Sequence, residues 1–167
     1  MSELFSFPNP VNEKAARTVA MVVMVLALIT LVTSAYWLLV PLAYGFIARV
    51  LTGPTLSPLG RLASGVVAPR LGESRPVPGP PKRFAQAIGA ALTTAAALCA
   101  LVLGAPSTAD VLLGALIAAA GLESLFAYCL GCQLFALLMR AGLVPSETCA
   151  ECAAIWERPG MTANSEG

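Results

Sequence analysis

Two pairs of cysteines near the end of the chain hold most of its chemical capacity. Cys129 and Cys132 form one C-x-x-C pair, and Cys149 and Cys152 form a second pair after sixteen intervening residues. Adjacent thiols at this spacing can close reversibly into a disulfide, accept a sulfur atom as a persulfide, or bind a soft metal ion. The chain contains no histidine, so the usual general base and the commonest metal ligand are missing.

Three interpretations of these thiols stay open. The first is dithiol chemistry, in which the pairs exchange electrons or carry sulfane sulfur. The second is a metal site, because four thiolates at this spacing match a zinc pattern and can also hold an iron–sulfur cluster. The third treats the cysteines as packing residues of a scaffold that binds a partner. No cofactor is certain; zinc or an iron–sulfur cluster is expected only under the second interpretation.

The composition indicates that the rest of the chain is a membrane scaffold. Of 167 residues, 57% are hydrophobic and 11% are charged, whereas a soluble domain is about half apolar and about a quarter charged. We therefore predict a single integral membrane domain over residues 1–158, followed by a flexible tail over 159–167. The fold class is an all-α, four-transmembrane-helix bundle with a cytoplasmic C-terminal helical hairpin that carries both C-x-x-C pairs. The predicted segments are spans at 14–33, 35–51, 84–104 and 111–131, a Pro-rich basic loop at 52–83, and the hairpin at 132–158.

The distribution of the ten Lys and Arg residues predicts the orientation. Lys14 and Arg17 precede the first span, six basic residues lie at or between the second and third spans, and Arg140 and Arg158 follow the fourth. The two remaining turns have none, so the positive-inside rule places both termini and the basic loop in the cytoplasm. Both cysteine pairs then face a compartment that keeps thiols reduced, which argues against a permanent structural disulfide.

A carboxylate inside the fourth apolar run is a second candidate for function. Glu123 lies about 9 Å along a helix axis from Cys129, and a carboxylate within a span is costly unless it is paired. We expect a buried ion pair between Glu123 and Arg49 that sets the helix register; a proton relay to the thiols is the alternative. The run is also too long for one straight span, so we expect a bend at Gly131.

Several separate motifs resemble one known family over roughly residues 5–158. The matching segments are FPNPVNE at 7–13, ARVLTGP at 48–54, SP at 57–58, GPPKRF at 79–84, CLGC at 129–132 and RAGLVP at 140–145. Together they resemble the bacterial integral membrane family called domain of unknown function 4395. The resemblance implies a bacterial inner (plasma) membrane protein but no established activity. Members tend to accompany thioredoxin-like and sulfurtransferase proteins, which implies a soluble partner of that kind.

These observations predict a membrane-bound thiol protein in redox or sulfur handling. Cys129, Cys132, Cys149 and Cys152 would exchange electrons or sulfane sulfur with a soluble thioredoxin-like or rhodanese-type partner, and any enzymatic activity would be thiol–disulfide exchange or sulfur transfer. The alternative is a non-enzymatic membrane anchor or scaffold, with or without a structural four-cysteine zinc site. No nucleic-acid-binding pattern is present, since topology and anionic lipid account for the basic loop.

Overall fold

The computed structural model describes residues 11–70 and 76–145, and these form a helical bundle. A short antiparallel bridge pairs β1 (Val11–Asn12) with β2 (Pro76–Val77). A 3₁₀ turn (Tyr36–Leu38) leads into the second helix, and a π-helical turn (Ala63–Val67) joins the third helix to the fourth. The helices are α1 (Glu13–Thr33), α2 (Leu39–Thr52), α3 (Pro58–Leu62), α4 (Ala68–Arg70), α5 (Gly79–Leu101), α6 (Pro106–Phe126) and α7 (Leu130–Arg140).

Polar caps determine where two of these helices begin. The side-chain oxygen of Asn12 accepts a hydrogen bond of 3.0 Å from the backbone N–H of Lys14 at the start of α1. The hydroxyl of Ser57 accepts one of 3.2 Å from the N–H of Gly60, and Pro58 occupies the first position of α3. Each cap satisfies an N–H that the first helical turn leaves without a partner.

Three helices in the described part of the chain are long and apolar enough to cross a membrane, namely α1, α5 and α6. Their outer faces expose large apolar side chains, such as Val32 and Val111 at 76% and 73% exposure, which a soluble surface rarely tolerates over such an area. The all-α class is thereby confirmed, and the helices indicate a membrane protein. The segment predicted as the second span, 35–51, forms the 3₁₀ turn and the 14-residue α2. Together these are shorter than each of the three long helices.

The long helices pack as antiparallel neighbours. α1 packs mainly on α6, and α5 packs on both α6 and α2. The core includes Val23, Leu39 and Leu113, which have almost no exposed surface. α2 and α5 approach closely at Gly89, where a Cβ atom would lie 2.2 Å from the ring of Phe46. This contact fixes the position of α5, on which the candidate site is built.

Antiparallel packing also places the positive side chains of some helices against the carboxyl ends of others. Arg17 of α1 donates hydrogen bonds to the carbonyl oxygens of Ser124 (3.0 and 3.2 Å) and Leu125 (3.4 Å) at the end of α6. Arg83 of α5 donates one of 2.9 Å to the carbonyl oxygen of Val50 in α2. Cations at these ends satisfy free carbonyls and interact favourably with the helix dipole, so these two arginines hold helices together.

Two helix boundaries differ from the prediction and shape the site. α5 begins at Gly79, ahead of residue 84, because its two prolines fit in the first turn, where a missing N–H costs nothing. Lys82 consequently belongs to the helix and not to the loop. The bend predicted at Gly131 is wrong. The fourth apolar run breaks earlier, where α6 ends at Phe126 and Ala127 takes the left-handed conformation with φ of 56°.

Candidate dithiol site

The break between α6 and α7 places Cys129 at the start of a helix. Ala127 leaves α6 in a left-handed conformation, which costs an alanine about 1–2 kcal/mol. The N–H of Tyr128 turns back to the carbonyl oxygen of Leu122 at 3.1 Å, and Arg17 covers the neighbouring free carbonyls. These hydrogen bonds offset the strain, so that Cys129 reaches the extended conformation of a helix cap (φ −89°, ψ 104°).

Cys129 caps α7 with its sulfur atom. Its Sγ accepts a hydrogen bond of 3.4 Å from the backbone N–H of Cys132, and its carbonyl oxygen accepts one of 3.1 Å from the N–H of Gln133. Both cysteines are free thiols; Cys129 is 8% exposed and Cys132 is half-buried. A sulfur atom at this position faces the positive end of the helix dipole, which favours the thiolate.

The two thiols differ in their readiness to ionise. A hydrogen bond from the Cys132 thiol lowers the pKa of Cys129, and Lys82 and the backbone N–H of Cys132 act in the same direction, against burial and the charge of Glu123. The pKa of Cys132 is raised, because its thiol serves the hydrogen bond to Cys129 and is itself partly buried. The pKa of Cys129 therefore lies below that of Cys132.

Lys82 is the cation next to these thiols, and it forms the ion pair of Glu123. Its ammonium group bonds the carboxylate of Glu123, and the two side chains are 9% and 14% exposed. The partner predicted for Glu123, Arg49, was therefore wrong. The reason lies in the packing: α6 packs directly on α5, which carries Lys82 in its first turn, whereas α2, which carries Arg49, packs mainly on α5.

Arg49 is engaged elsewhere. Its Nε donates to the side-chain oxygen of Gln86 at 2.8 Å, its Nη1 donates to the hydroxyl of Ser57 at 3.3 Å, and its guanidinium lies 4.6 Å from the ring centroid of Phe46. These contacts link α2 to α5 and to the cap of α3. Arg49 thus organises the bundle beside the dithiol without touching the thiols.

A cavity of about 290 Å³ opens onto the pair. Cys129, Cys132 and Lys82 lie on its wall together with Glu13 of α1, and the rest of the lining is mostly apolar. A cavity of this size admits a small thiol or the tip of a partner's loop. Both cysteines therefore border a space that a small molecule can enter, although Cys129 itself has little exposed surface.

Gly131 and an aromatic pair fix the position of α7 against α5. A Cβ atom on Gly131 would lie 2.5 Å from the Cβ of Ala85 and 2.6 Å from its Cα. Farther along α7, the rings of Phe135 and Phe84 are 5.6 Å apart between centroids and tilted by 56°. The glycine of the C-x-x-C segment is thus a packing requirement, because any side chain would push the thiols away from Lys82.

We expect Gly131→Ala to destabilise the protein by about 1–3 kcal/mol, since overpacking against the backbone of Ala85 cannot be relieved by a rotamer change. In a chain of this size each kcal/mol lowers the unfolding midpoint by about 2–4 °C. The measurement is thermal unfolding of the purified protein in detergent. Gly114→Ala is the matched control, because a Cβ atom at that helical glycine meets nothing within 4 Å; equal midpoints for the two variants would contradict the packing argument.

The remaining cysteines are the second predicted pair and Cys99. Cys149 and Cys152 are outside the described residues, so the meeting of the two pairs and the four-cysteine metal site stay predictions. Within residues 11–70 and 76–145, no three potential metal ligands come together. Cys99 in α5 is half-buried and packs against the main core.

Sequence reasoning missed Lys82 as a residue of the site. The adjacent prolines at the start of α5 are the signal that would have placed it in a helix.

Comparison with known proteins bears on the family alone. No curated protein and no solved structure matches the chain. Residues 11–140, which include α1 to α7 and the first cysteine pair, match the family model described as Domain of unknown function (DUF4395). The chain therefore belongs to the DUF4395 family.

Proposed function

We propose that this protein is a membrane-embedded dithiol protein whose Cys129–Cys132 pair exchanges electrons with a thiol-containing partner. The observation that carries the proposal is the position of Cys129, whose sulfur caps α7 through the N–H of Cys132 on the wall of a cavity that also holds Lys82. A helix dipole, a hydrogen-bonded second thiol and a nearby cation are the features that turn a cysteine into a nucleophile.

The exchange follows from the different proton affinities of the two thiols. The Cys129 thiolate attacks one sulfur of the partner's disulfide, forms a mixed disulfide and releases the other partner sulfur as a thiolate. Cys132 then loses its proton to water and attacks the Cys129 sulfur, which breaks the mixed disulfide and releases the second partner thiolate. The Cys129–Cys132 pair is oxidised by two electrons, and the partner's disulfide is reduced to a dithiol. Every step is reversible.

The same nucleophile supports sulfur transfer as a second candidate. A Cys129 thiolate can attack the outer sulfur of a donor persulfide, so that the donor leaves as a thiolate and Cys129 holds the persulfide. The observation that favours this reaction is the Lys82 ammonium beside both thiols, because a persulfide is anionic at neutral pH and gains from a neighbouring cation.

The finer membrane arrangement also belongs to the proposal. α2 and its 3₁₀ turn would form a fourth, short span in a bacterial inner membrane, with both termini in the cytoplasm. Support comes from the basic residues, which lie at the start of α1, at the end of α2, between α2 and α5, and at the start of α5, at the end of the bundle that carries the dithiol. The two opposite turns carry none. The partner is then a soluble thioredoxin-like or sulfurtransferase protein, and Cys149 and Cys152 would receive or pass on the electrons or sulfur.

A redox titration tests the proposal. A Cys149→Ser/Cys152→Ser variant is equilibrated in detergent with graded mixtures of reduced and oxidised dithiothreitol, quenched in acid, and labelled with a maleimide that adds mass. Cys129 and Cys132 should lose reactivity together in one two-electron transition, with a tenfold change in ratio per about 30 mV. Two thiols that stay free under the most oxidising mixture would support the scaffold instead, as would one tightly bound zinc and four protected thiols in the unaltered chain.

A further inference from the structure

Arg49 has a hydrogen-bonding group that no described residue satisfies. The side chain is 6% exposed, and Gln86 and Ser57 hold its Nε and Nη1. Its Nη2 is fully buried and finds no acceptor within residues 11–70 and 76–145. A buried donor on a charged group costs free energy unless it is paired, so this nitrogen would gain from an acceptor that the described residues do not supply.

The charge of Arg49 is likewise unmatched by a contacting carboxylate. Glu123, the acidic side chain nearest in the bundle, bonds Lys82, and the contacts of Arg49 within the described ranges are to an amide, a hydroxyl and an aromatic ring. A buried guanidinium whose direct contacts are neutral retains much of its desolvation cost, although the charge of Glu123 also acts on it. An anion of exogenous origin would remove both costs at once.

The space for such an anion is a second cavity, of about 260 Å³. Its wall includes Arg49 and Lys82, with the polar side chains of Asn12, Ser64 and Gln86 and no acidic residue among those described. The cavity lies where the start of α1, the end of α2 and the start of α5 meet. Lys82 is paired with Glu123, so the charge of Arg49 leaves this partly enclosed site positive.

We propose that this cavity binds an oxyanion of the phosphate type, gripped by the Arg49 guanidinium and favoured by Lys82. A planar guanidinium held in place by Gln86 and Ser57 suits the oxygens of a phosphate better than a lysine would. The phosphate can come from a lipid headgroup, since the cavity lies at an end of the spanning helices, or from solution. The inference does not depend on the dithiol function, and its test uses no thiol readout.

The test measures thermal unfolding of the full chain with two probes at constant ionic strength. Inorganic phosphate is titrated into protein in neutral detergent, and phosphatidylglycerol is compared with phosphatidylcholine in nanodiscs. A saturable rise of the unfolding midpoint is expected with at least one probe, because a ligand that binds only the folded state stabilises it. Arg49→Lys should weaken apparent affinity by at least ~10-fold while retaining the charge, and Arg49→Gln should abolish the saturable rise.

Arg61→Gln is the matched control. Arg61 is exposed on α3, and its substitution removes the same charge as Arg49→Gln from the same end of the bundle. It should respond as the unaltered protein does. A rise with phosphate alone assigns a soluble anion, and a rise with phosphatidylglycerol alone assigns a lipid headgroup. The proposal is overturned if neither probe raises the midpoint, or if the Arg49 and Arg61 variants respond equally.

Discussion

Cys129→Ser is expected to abolish thiol–disulfide exchange, with a rate loss of at least ~10³-fold, since a serine hydroxyl does not ionise at neutral pH. Cys132→Ser should behave in the opposite way. It keeps the nucleophile but removes the thiol that resolves the mixed disulfide, so a stable adduct should accumulate at Cys129. The asymmetry follows from the structure, in which Cys129 accepts the hydrogen bond from Cys132 and its pKa is the one that is lowered.

The measurement uses oxidised glutathione as the disulfide offered to the cavity beside Cys129. Intact-mass analysis follows the glutathione adduct with time in chains that lack Cys149 and Cys152. Cys99→Ser is the control, since Cys99 packs in the core away from the pair and its loss should leave the rate unchanged. Exchange that continues at the unaltered rate in Cys129→Ser would show that the nucleophile has been misassigned.

The pH dependence gives the same assignment an independent check. A lowered pKa means that Cys129 is deprotonated at a lower pH than an ordinary thiol, so its alkylation rate should rise with pH and level off below about 8.5, the value of an unperturbed cysteine. The readout is the rate of iodoacetamide labelling at Cys129, located by peptide mapping. A midpoint at or above the ordinary value would mean that burial and Glu123 outweigh the hydrogen bond from Cys132.

Lys82→Met should destabilise the protein by about 3–5 kcal/mol, because it leaves the carboxylate of Glu123 buried without its partner. Lys82→Met combined with Glu123→Leu should recover most of this loss, since replacing both members of a buried pair by apolar groups is often close to neutral. Chemical or thermal unfolding in detergent gives the comparison. Arg61→Met, at an exposed position, is the control for removing a cation and should stay within about 0.5 kcal/mol of the unaltered protein.

The same pair should alter the thiol in opposite directions. Lys82 lowers the pKa of Cys129 and Glu123 raises it, so Lys82→Met should slow Cys129 alkylation at pH 7, whereas Glu123→Gln should accelerate it. Opposite signs separate an electrostatic role from a purely structural one, because both substitutions weaken the same ion pair. Equal slowing in both variants would mean that the pair acts on the thiol only through folding.

Features that depend on composition or on near neighbours in the chain could be predicted from the sequence. The scarcity of charge required lipid-facing helices, and α1 runs from Glu13 to Thr33 where one apolar run was expected at 14–33. The spacing of Cys129 and Cys132 ensured their proximity, because one helical turn brings positions i and i+3 together. Such features need no knowledge of how the helices pack.

Where one helix meets another was decided by the tertiary structure alone. Lys82 and Glu123 are 41 positions apart, and their pairing in place of Arg49 with Glu123 depends on α6 lying against α5. Nothing about an alanine predicts a left-handed residue, yet Ala127 ends α6 there and makes Cys129 a helix cap. The physical reason is that a local pattern sets the conformation of one turn, whereas the partner of a buried charge is set by helices that only packing brings together.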